Sequence, residues 1–146
     1  TIDDAIRYVR ACQNSDGGFR YMSMTGSSAW PRTAAGVASL FYAGIYSDNS
    51  IVRGLDYLRM TAEPNGGGPN AEAHYFYGHY YAVQAYYITG GNQWRRYFTE
   101  VKERLLRMQE SDGSWRNNPG PGSAFGTAVA TLILQIPLQY LPIFQR

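Results

Sequence analysis

A seven-residue segment occurs twice in this chain in nearly the same form. It reads QNSDGGF at residues 13–19 and QESDGSW at residues 109–115. Both copies keep a Gln, an Asp, a Gly and a terminal aromatic residue at the same spacing, and their glutamines are 96 residues apart. Such a recurrence is typical of architectures in which each repeated unit buries its apolar face against the next unit.

A weaker copy of this heptad lies between the other two. Gly17, Gly66 and Gly113 are spaced by 49 and 47 residues, and an apolar helical pattern precedes each of them. In the middle copy Ala62 replaces the Gln and Gly68 replaces the aromatic residue. The spacing predicts one domain of three repeats, at about residues 1–45, 46–91 and 92–146.

Each repeat is predicted to contain two helices of different character. The first is amphipathic, as in the stripe formed by Trp94, Phe98, Val101 and Leu105. The second is apolar on nearly all sides, which is typical of a buried helix. A second series, Val37, Val83 and Val129, is spaced by 46 residues per repeat, and the buried helices are predicted over residues 33–44, 74–90 and 127–136. The pattern therefore indicates an all-α fold of outer and inner helices.

The repeated heptad is interpreted as a structural turn. A Gly can adopt the positive φ that a tight reversal needs, and an Asp can accept hydrogen bonds from backbone amides within the turn. A Gln amide can bond backbone groups of a neighbouring helix, and the aromatic ring can cover that bond. The residues concerned are Gln13, Asp16, Gly17 and Phe19 in the first copy and Gln109, Asp112, Gly113 and Trp115 in the last.

The pattern aromatic-aliphatic-xxx-Gln-xxx-Gly-x-aromatic resembles the QW motif of squalene-hopene and other triterpene cyclases. More broadly, the whole chain resembles the prenyltransferase and squalene-cyclase repeat superfamily. The resemblance implies an α/α toroid, in which three helical hairpins would form half a ring or a fragment of a larger ring. It also leads us to expect that the chain is the C-terminal part of a longer protein.

The catalytic groups that this resemblance implies are not matched in the chain. The cyclases use an Asp-x-Asp-Asp motif at the start of an inner helix. Asp3 and Asp4 instead lie at the N-terminal end of an outer helix, where the helix dipole favours acidic residues. The zinc of protein prenyltransferases is held by Asp, Cys and His. His79 follows a similar Tyr-rich stretch, but Cys12 lies on an outer helix. We therefore expect no metal and no cofactor.

A candidate pocket is predicted where the long turns meet the inner helices. The turns at residues 20–29, 63–71 and 114–124 should lie at one end of the bundle, and loops on a rigid scaffold often carry function. Glu72 and His74 could act as an acid/base pair, and tyrosine rings could stabilise a carbocation or bind sugar hydroxyls. The candidate residues are Trp30, Arg32, Glu72, His74, Tyr77, His79 and Tyr81.

Composition narrows the remaining choices. Hydrophobic residues make up 45% of the chain and charged residues 16%, which indicates a globular domain. The net charge of +2 without a basic cluster argues against nucleic-acid binding. The single Cys12 excludes an internal disulfide framework, and no apolar run is long enough for a membrane span.

Three functions remain open at this point. The preferred one is a toroid module without a known catalytic set, which binds an isoprenoid or other apolar ligand, a second copy, or a missing half that closes the ring. The second is an active isoprenoid cyclase or transferase whose catalytic residues lie in that missing half. The third is a polysaccharide lyase-like enzyme, in which Arg32 neutralises a uronate and His74 or a tyrosine acts as the base.

Overall fold

The computed structural model describes residues 1–61, 74–118 and 120–140. These residues form helices and turns without a β-strand, which confirms the all-α class. The helices are α1 (Ile2–Ala11), α2 (Trp30–Tyr42), α3 (Asn49–Thr61), α4 (Tyr75–Thr89), α5 (Gly91–Met108) and α6 (Ser123–Gln135), followed by a short 3-10 helix at Ile136–Leu138.

The chain divides into two compact units. The first, Thr1–Glu63, contains α1, α2 and α3, and its helix α2 packs against the other two. The second, Pro64–Arg146, contains α4, α5 and α6, and its helix α4 packs against the other two. The division of the chain into three repeats, and their arrangement in a toroid, stay predictions.

The described helices differ in burial as their sequences suggest. Helix α4 buries most of its length, and α2 buries about half of its residues. Helix α3 buries a narrow stripe that includes Ile51 and Leu58, and α5 buries a stripe that includes Val101 and Leu105. Helix α1 buries none of its residues, although its sequence is strongly amphipathic. Ile2 is exposed and Ile6 and Val9 are half-buried, so the described residues cover this apolar stripe only in part.

The helix starts follow from local hydrogen bonding. Thr1 caps α1, and Asp4 returns a bond to Thr1, so that the two form a capping box. Asp48 caps α3 by accepting a hydrogen bond from the backbone N–H of Ser50 at 2.7 Å. Helix α5 begins at Gly91, so Asn92 lies inside its first turn.

The apolar content of the helices does not extend to a membrane span. Among the helices of the described residues, none combines the length and the hydropathy that crossing a bilayer requires.

Candidate functional site

The segment 13–19, called the Gln13 turn below, is closed by hydrogen bonds between its own residues. Gly17 has a φ of 88°, which favours glycine. The Asp16 carboxylate accepts from the backbone N–H of Gly18 at 2.9 Å. The side-chain Nε2 of Gln13 donates to the carbonyl oxygen of Gly17, also at 2.9 Å. These bonds hold the reversal between α1 and the following loop.

The Gln13 turn is also bonded to the outer helix of the next predicted repeat. The same Nε2 of Gln13 donates to the carbonyl oxygen of Ser50, in the first turn of α3, at 2.9 Å. In return, Nη2 of Arg53 on α3 donates to the carbonyl oxygens of Asn14 and Ser15, at 2.6 and 3.0 Å. Side-chain to backbone bonds therefore join the turn and α3 in both directions.

The turn and α3 are in contact at the level of the backbone. A Cβ atom added to Gly17 would lie 2.6 Å from the carbonyl oxygen of Arg53. A Cβ added to Gly54 would lie 2.5 Å from Cγ2 of Val37 on α2. Neither position has room for a side chain unless α3 moves away. The glycines therefore allow α3 to pack closely on the turn and on α2.

The segment 109–115, called the Gln109 turn below, has the same internal hydrogen bonds. Gly113 has a φ of 85°. The Asp112 carboxylate accepts from the backbone N–H of Ser114 at 2.9 Å. The Nε2 of Gln109 donates to the carbonyl oxygen of Gly113 at 3.0 Å. The two turns are thus the same local structure, formed twice.

The aromatic residue of each turn bonds the inner helix that follows it. The backbone N–H of Phe19 donates to the hydroxyl of Thr33 at 2.8 Å, and that of Trp115 donates to Thr127 at 3.1 Å. The two threonines are 94 residues apart, whereas the valine series gives 92. The valines therefore do not mark equivalent positions, because the loop from turn to helix is two residues shorter in the last copy.

The two turns differ in what covers them. Among the described residues, the Gln109 side chain donates only to Gly113, and Gln109, Asp112 and Gly113 are all exposed. A Cβ added to Gly113 would meet only Nε2 of Gln109, at 3.9 Å. Within the described parts of the chain, no helix packs on the Gln109 turn in the way that α3 packs on the Gln13 turn.

Helix α6 is exposed at the position where α2 meets α3. Thr131 lies four residues after Thr127, just as Val37 lies four residues after Thr33, so the two positions occupy the same face of their helices. Val37 is completely buried and contacts α3, whereas Thr131 is exposed. The Gln109 turn and Thr131 form a surface that is called the open edge below. It is equivalent to the surface of the Gln13 turn and Val37 on which α3 packs, but no described helix covers it.

His79 belongs to a buried aromatic cluster between α4 and α5. Its Nδ1 lies 2.6 Å from the hydroxyl oxygen of Tyr97. The ring of Tyr75 lies 4.3 Å from the His79 ring, and the rings of Tyr86 and Tyr97 stack at 4.4 Å, measured between centroids. This hydrogen bond and stack join α4 of the second predicted repeat to α5 of the third.

The groups in this cluster are uncharged near neutral pH. Burial, with a smaller effect from Arg104, lowers the pKa of His79 to about 3. Burial raises the pKa of Tyr75 to about 12 and raises the pKa of Tyr97 well above its ordinary value. Arg104 lies over the Tyr75 ring, with its guanidinium carbon 5.1 Å from the centroid. The cluster is suited to holding two helices together and not to proton transfer.

Two of the predicted rim residues lie at the start of α2. The indole Nε1 of Trp30 donates to the carbonyl oxygen of Leu58 at 3.2 Å, which bonds α2 to α3. The Nη2 of Arg32 donates to the carbonyl oxygen of Ser27 at 3.0 Å. Both side chains therefore contribute to the structure of the first unit.

The other predicted rim and pocket residues belong to the second unit. His74 is exposed and precedes α4 without capping it through its side chain. Tyr77 and Tyr81 lie one turn apart on α4 with their rings edge to face at 5.0 Å. Glu72 and the turn at 63–71 lie outside the described residues, so the acid/base pairing of Glu72 with His74 stays a prediction.

Metal-binding groups do not converge in the described residues. Across residues 1–61, 74–118 and 120–140, no three His, Cys, Asp or Glu side chains are close enough to hold an ion. Cys12 is buried in the first unit, whereas His79 lies in the second.

Several residues that position these sites were missed at the sequence level. Tyr97 was not singled out, although it falls on the buried side of α5, three residues after Trp94 in the apolar stripe. Thr33 and Thr127 were not recognised as partners of the turns. Their signal is the Thr-Ala pair that begins both inner segments.

Known proteins supply no template for these sites. Comparisons with protein families, with curated proteins and with solved structures find no match for this chain. Its function is therefore inferred from its own residues.

Proposed function

We propose that this chain is a helical repeat module of the α/α-toroid type that binds a partner helix and does not catalyse a reaction. The observation that carries this proposal is the difference between the two turns: the Gln13 turn is covered by α3, and the Gln109 turn is exposed among the described residues. Support for the toroid type comes from the recurrence of one hydrogen-bonded turn and from the resemblance to the QW motif.

The contacts between α3 and the Gln13 turn indicate which partner helix would fit the open edge. Helix α3 offers a carbonyl oxygen at Ser50, a guanidinium at Arg53 and a close approach at Gly54. The Gln109 turn offers the matching groups, namely the Gln109 amide and the carbonyl oxygens of Glu110 and Ser111. An amphipathic helix with an Arg-Gly pair after its first turn is therefore the partner that the open edge fits best.

The chemistry of the buried groups also favours binding over catalysis. A general acid or base works best when its pKa lies near the working pH. The pKa of His79 is lowered to about 3 and that of Tyr75 is raised to about 12, so neither titrates in that range. The isoprenoid cyclase alternative places its catalytic residues in a missing half of the ring.

The proposal is tested with a peptide of residues 48–61, DNSIVRGLDYLRMT, which is the sequence of α3 with its cap. We expect the labelled peptide to bind the full chain in a fluorescence anisotropy titration. Replacing Arg53→Ala in the peptide should weaken binding about tenfold, because charged hydrogen bonds contribute about 1.5 to 3 kcal/mol. Replacing Gly54→Leu should abolish it by steric conflict.

The location of the peptide is tested on the protein side. Thr131→Arg places a bulky charge on the open edge at an exposed position and should weaken binding at least about tenfold. Met24→Arg is the matched control, since Met24 is 85% exposed and lies outside the edge. No binding by the peptide, or equal binding by the Thr131 variant and the wild type, would contradict the proposal.

A further inference from the structure

We propose that the helix which covers the open edge is α1 of a second copy of this chain, so that copies associate head to tail. This inference rests on the helix-binding function proposed above and names the partner.

Helix α1 carries an apolar stripe that the described residues cover only in part. Ile2 and Val9 precede Ile51 and Leu58 of α3 by 49 residues each, the same step that separates the first two repeats. Ile51 is 2% exposed and Leu58 is fully buried, whereas Ile2 is 70% exposed and α1 has no buried residue. Ile6 and Val9 are half-buried, so α1 carries the apolar stripe of α3 with Ile2 uncovered and the rest only partly covered among the described residues.

Helix α6 and the Gln109 turn form the complementary surface. That surface repeats the hydrogen-bonded turn on which α3 packs, and it is exposed at Gln109, Gly113 and Thr131. One chain thus carries both halves of the α3 interface, neither of them fully covered among the described residues. Because the two halves are different surfaces, the contact they form between copies is heterologous.

The fit of α1 differs from that of α3 at two positions. Ala5 stands where α3 has Gly54, and a Cβ at Gly54 would lie 2.5 Å from a side chain of α2. Helix α1 must therefore pack slightly farther out. Asp4 stands where α3 has Arg53, so the bonds from the guanidinium to the turn are not reproduced. Both differences make the contact between copies weaker than the contact within the chain.

The experiment uses two variants, each of which blocks one half of the contact. Ala5→Arg adds a long side chain where α1 would lie closest to the open edge. Thr131→Arg adds a long side chain to the open edge itself, on α6. Sedimentation velocity of the wild type should show faster species as concentration rises, and each variant alone should remain monomeric. An equimolar mixture of the two variants should form a 1:1 dimer and nothing larger, because only one intact interface remains.

One control variant and a second pair of blocking variants separate a specific contact from a general effect of added charge. Met24→Arg should associate like the wild type, and Ile2→Glu with Ala128→Arg forms a second blocking pair at other exposed positions. The head-to-tail contact would be overturned if the wild type associates but neither mixture of paired variants forms a dimer. A monomeric wild type that still binds the peptide of residues 48–61 would also overturn it, while leaving the helix-binding function in place.

Discussion

Gly17 and Gly113 adopt the same backbone conformation in different surroundings, so they form a matched pair for substitution. Gly113→Ala should cost about 1 kcal/mol, because a side chain at positive φ is strained. Gly17→Ala should cost about 3 kcal/mol, because its Cβ would also lie 2.6 Å from the Arg53 carbonyl oxygen and displace α3. Urea unfolding followed by circular dichroism measures both values, and equal costs would mean that α3 does not pack on the Gln13 turn.

His79 should make stability depend on pH in a defined window. Its pKa is lowered to about 3 in the folded chain from an ordinary value of 6.5, so the unfolded chain binds the extra proton between these values. Stability from the neutral ring is therefore fully present above pH 6.5 and is lost as the pH falls toward 3. The free energy of unfolding should fall by up to about 1.4 kcal/mol per pH unit in this window.

The variant His79→Gln removes the titrating group and should flatten this pH dependence relative to the wild type. His74→Gln is the matched control, since His74 is the other histidine of the chain and is exposed. The measurement is the free energy of unfolding in urea at a series of pH values. Indistinguishable pH profiles for the wild type and the His79 variant would contradict the buried, neutral assignment.

At the scale of the element, α3 depends on its cap. Hydrogen bonds from the side chain and backbone of Ser50, with the nearby Arg10, lower the pKa of Asp48. A lowered pKa means that this stabilisation is present above the ordinary value of 3.8 and is lost as the pH falls through the folded pKa. Asp48→Ala should therefore cost about 1 kcal/mol near neutral pH, and less in strong acid.

A control for the cap exists on the same helix. Asp56 forms an exposed ion pair with Arg59, one turn apart, and such pairs contribute little to stability. Asp56→Ala should therefore change the free energy of unfolding much less than Asp48→Ala does. If the two variants lost the same stability, the contribution would be one of general charge and not of capping.

The described helices include two contrasting kinds of join. The join between α3 and the Gln13 turn uses side-chain bonds to backbone carbonyl oxygens, with glycines that allow close approach. The join between α4 and α5 uses the bond of His79 to Tyr97 and the stacked rings of Tyr86 and Tyr97. The second kind bonds an outer helix to the inner helix that precedes it.

At the scale of the whole molecule, the proposed contact between α1 and the open edge predicts how copies would associate. The stripe of α1 and the open edge are different surfaces, so a contact between them leaves one of each still available on the resulting dimer. Association is therefore expected to continue beyond two copies unless the rotation between copies closes a ring. In sedimentation, this corresponds to a steady rise in the mean coefficient with concentration, in place of a plateau at the dimer.

The sequence indicated only part of the candidate site. The hydrogen bonds within the heptad span at most four residues, so Gln13, Asp16 and Gly17 could be assigned roles from local chemistry. The role of His79 could not be assigned in this way, because its partner Tyr97 is 18 residues away on another helix. Bonds between helices depend on rotation and register, which a one-dimensional pattern does not specify.

The amino-acid sequence by itself determined the helical class, the alternation of amphipathic and apolar helices, and the chemistry of the two turns. These features follow from periodicity and from bonds between near neighbours in the chain. Only the tertiary structure decided that the Gln13 turn is covered by α3, while the Gln109 turn is exposed among the described residues. The two heptads have nearly the same letters, and the difference arises from which helix packs against each of them.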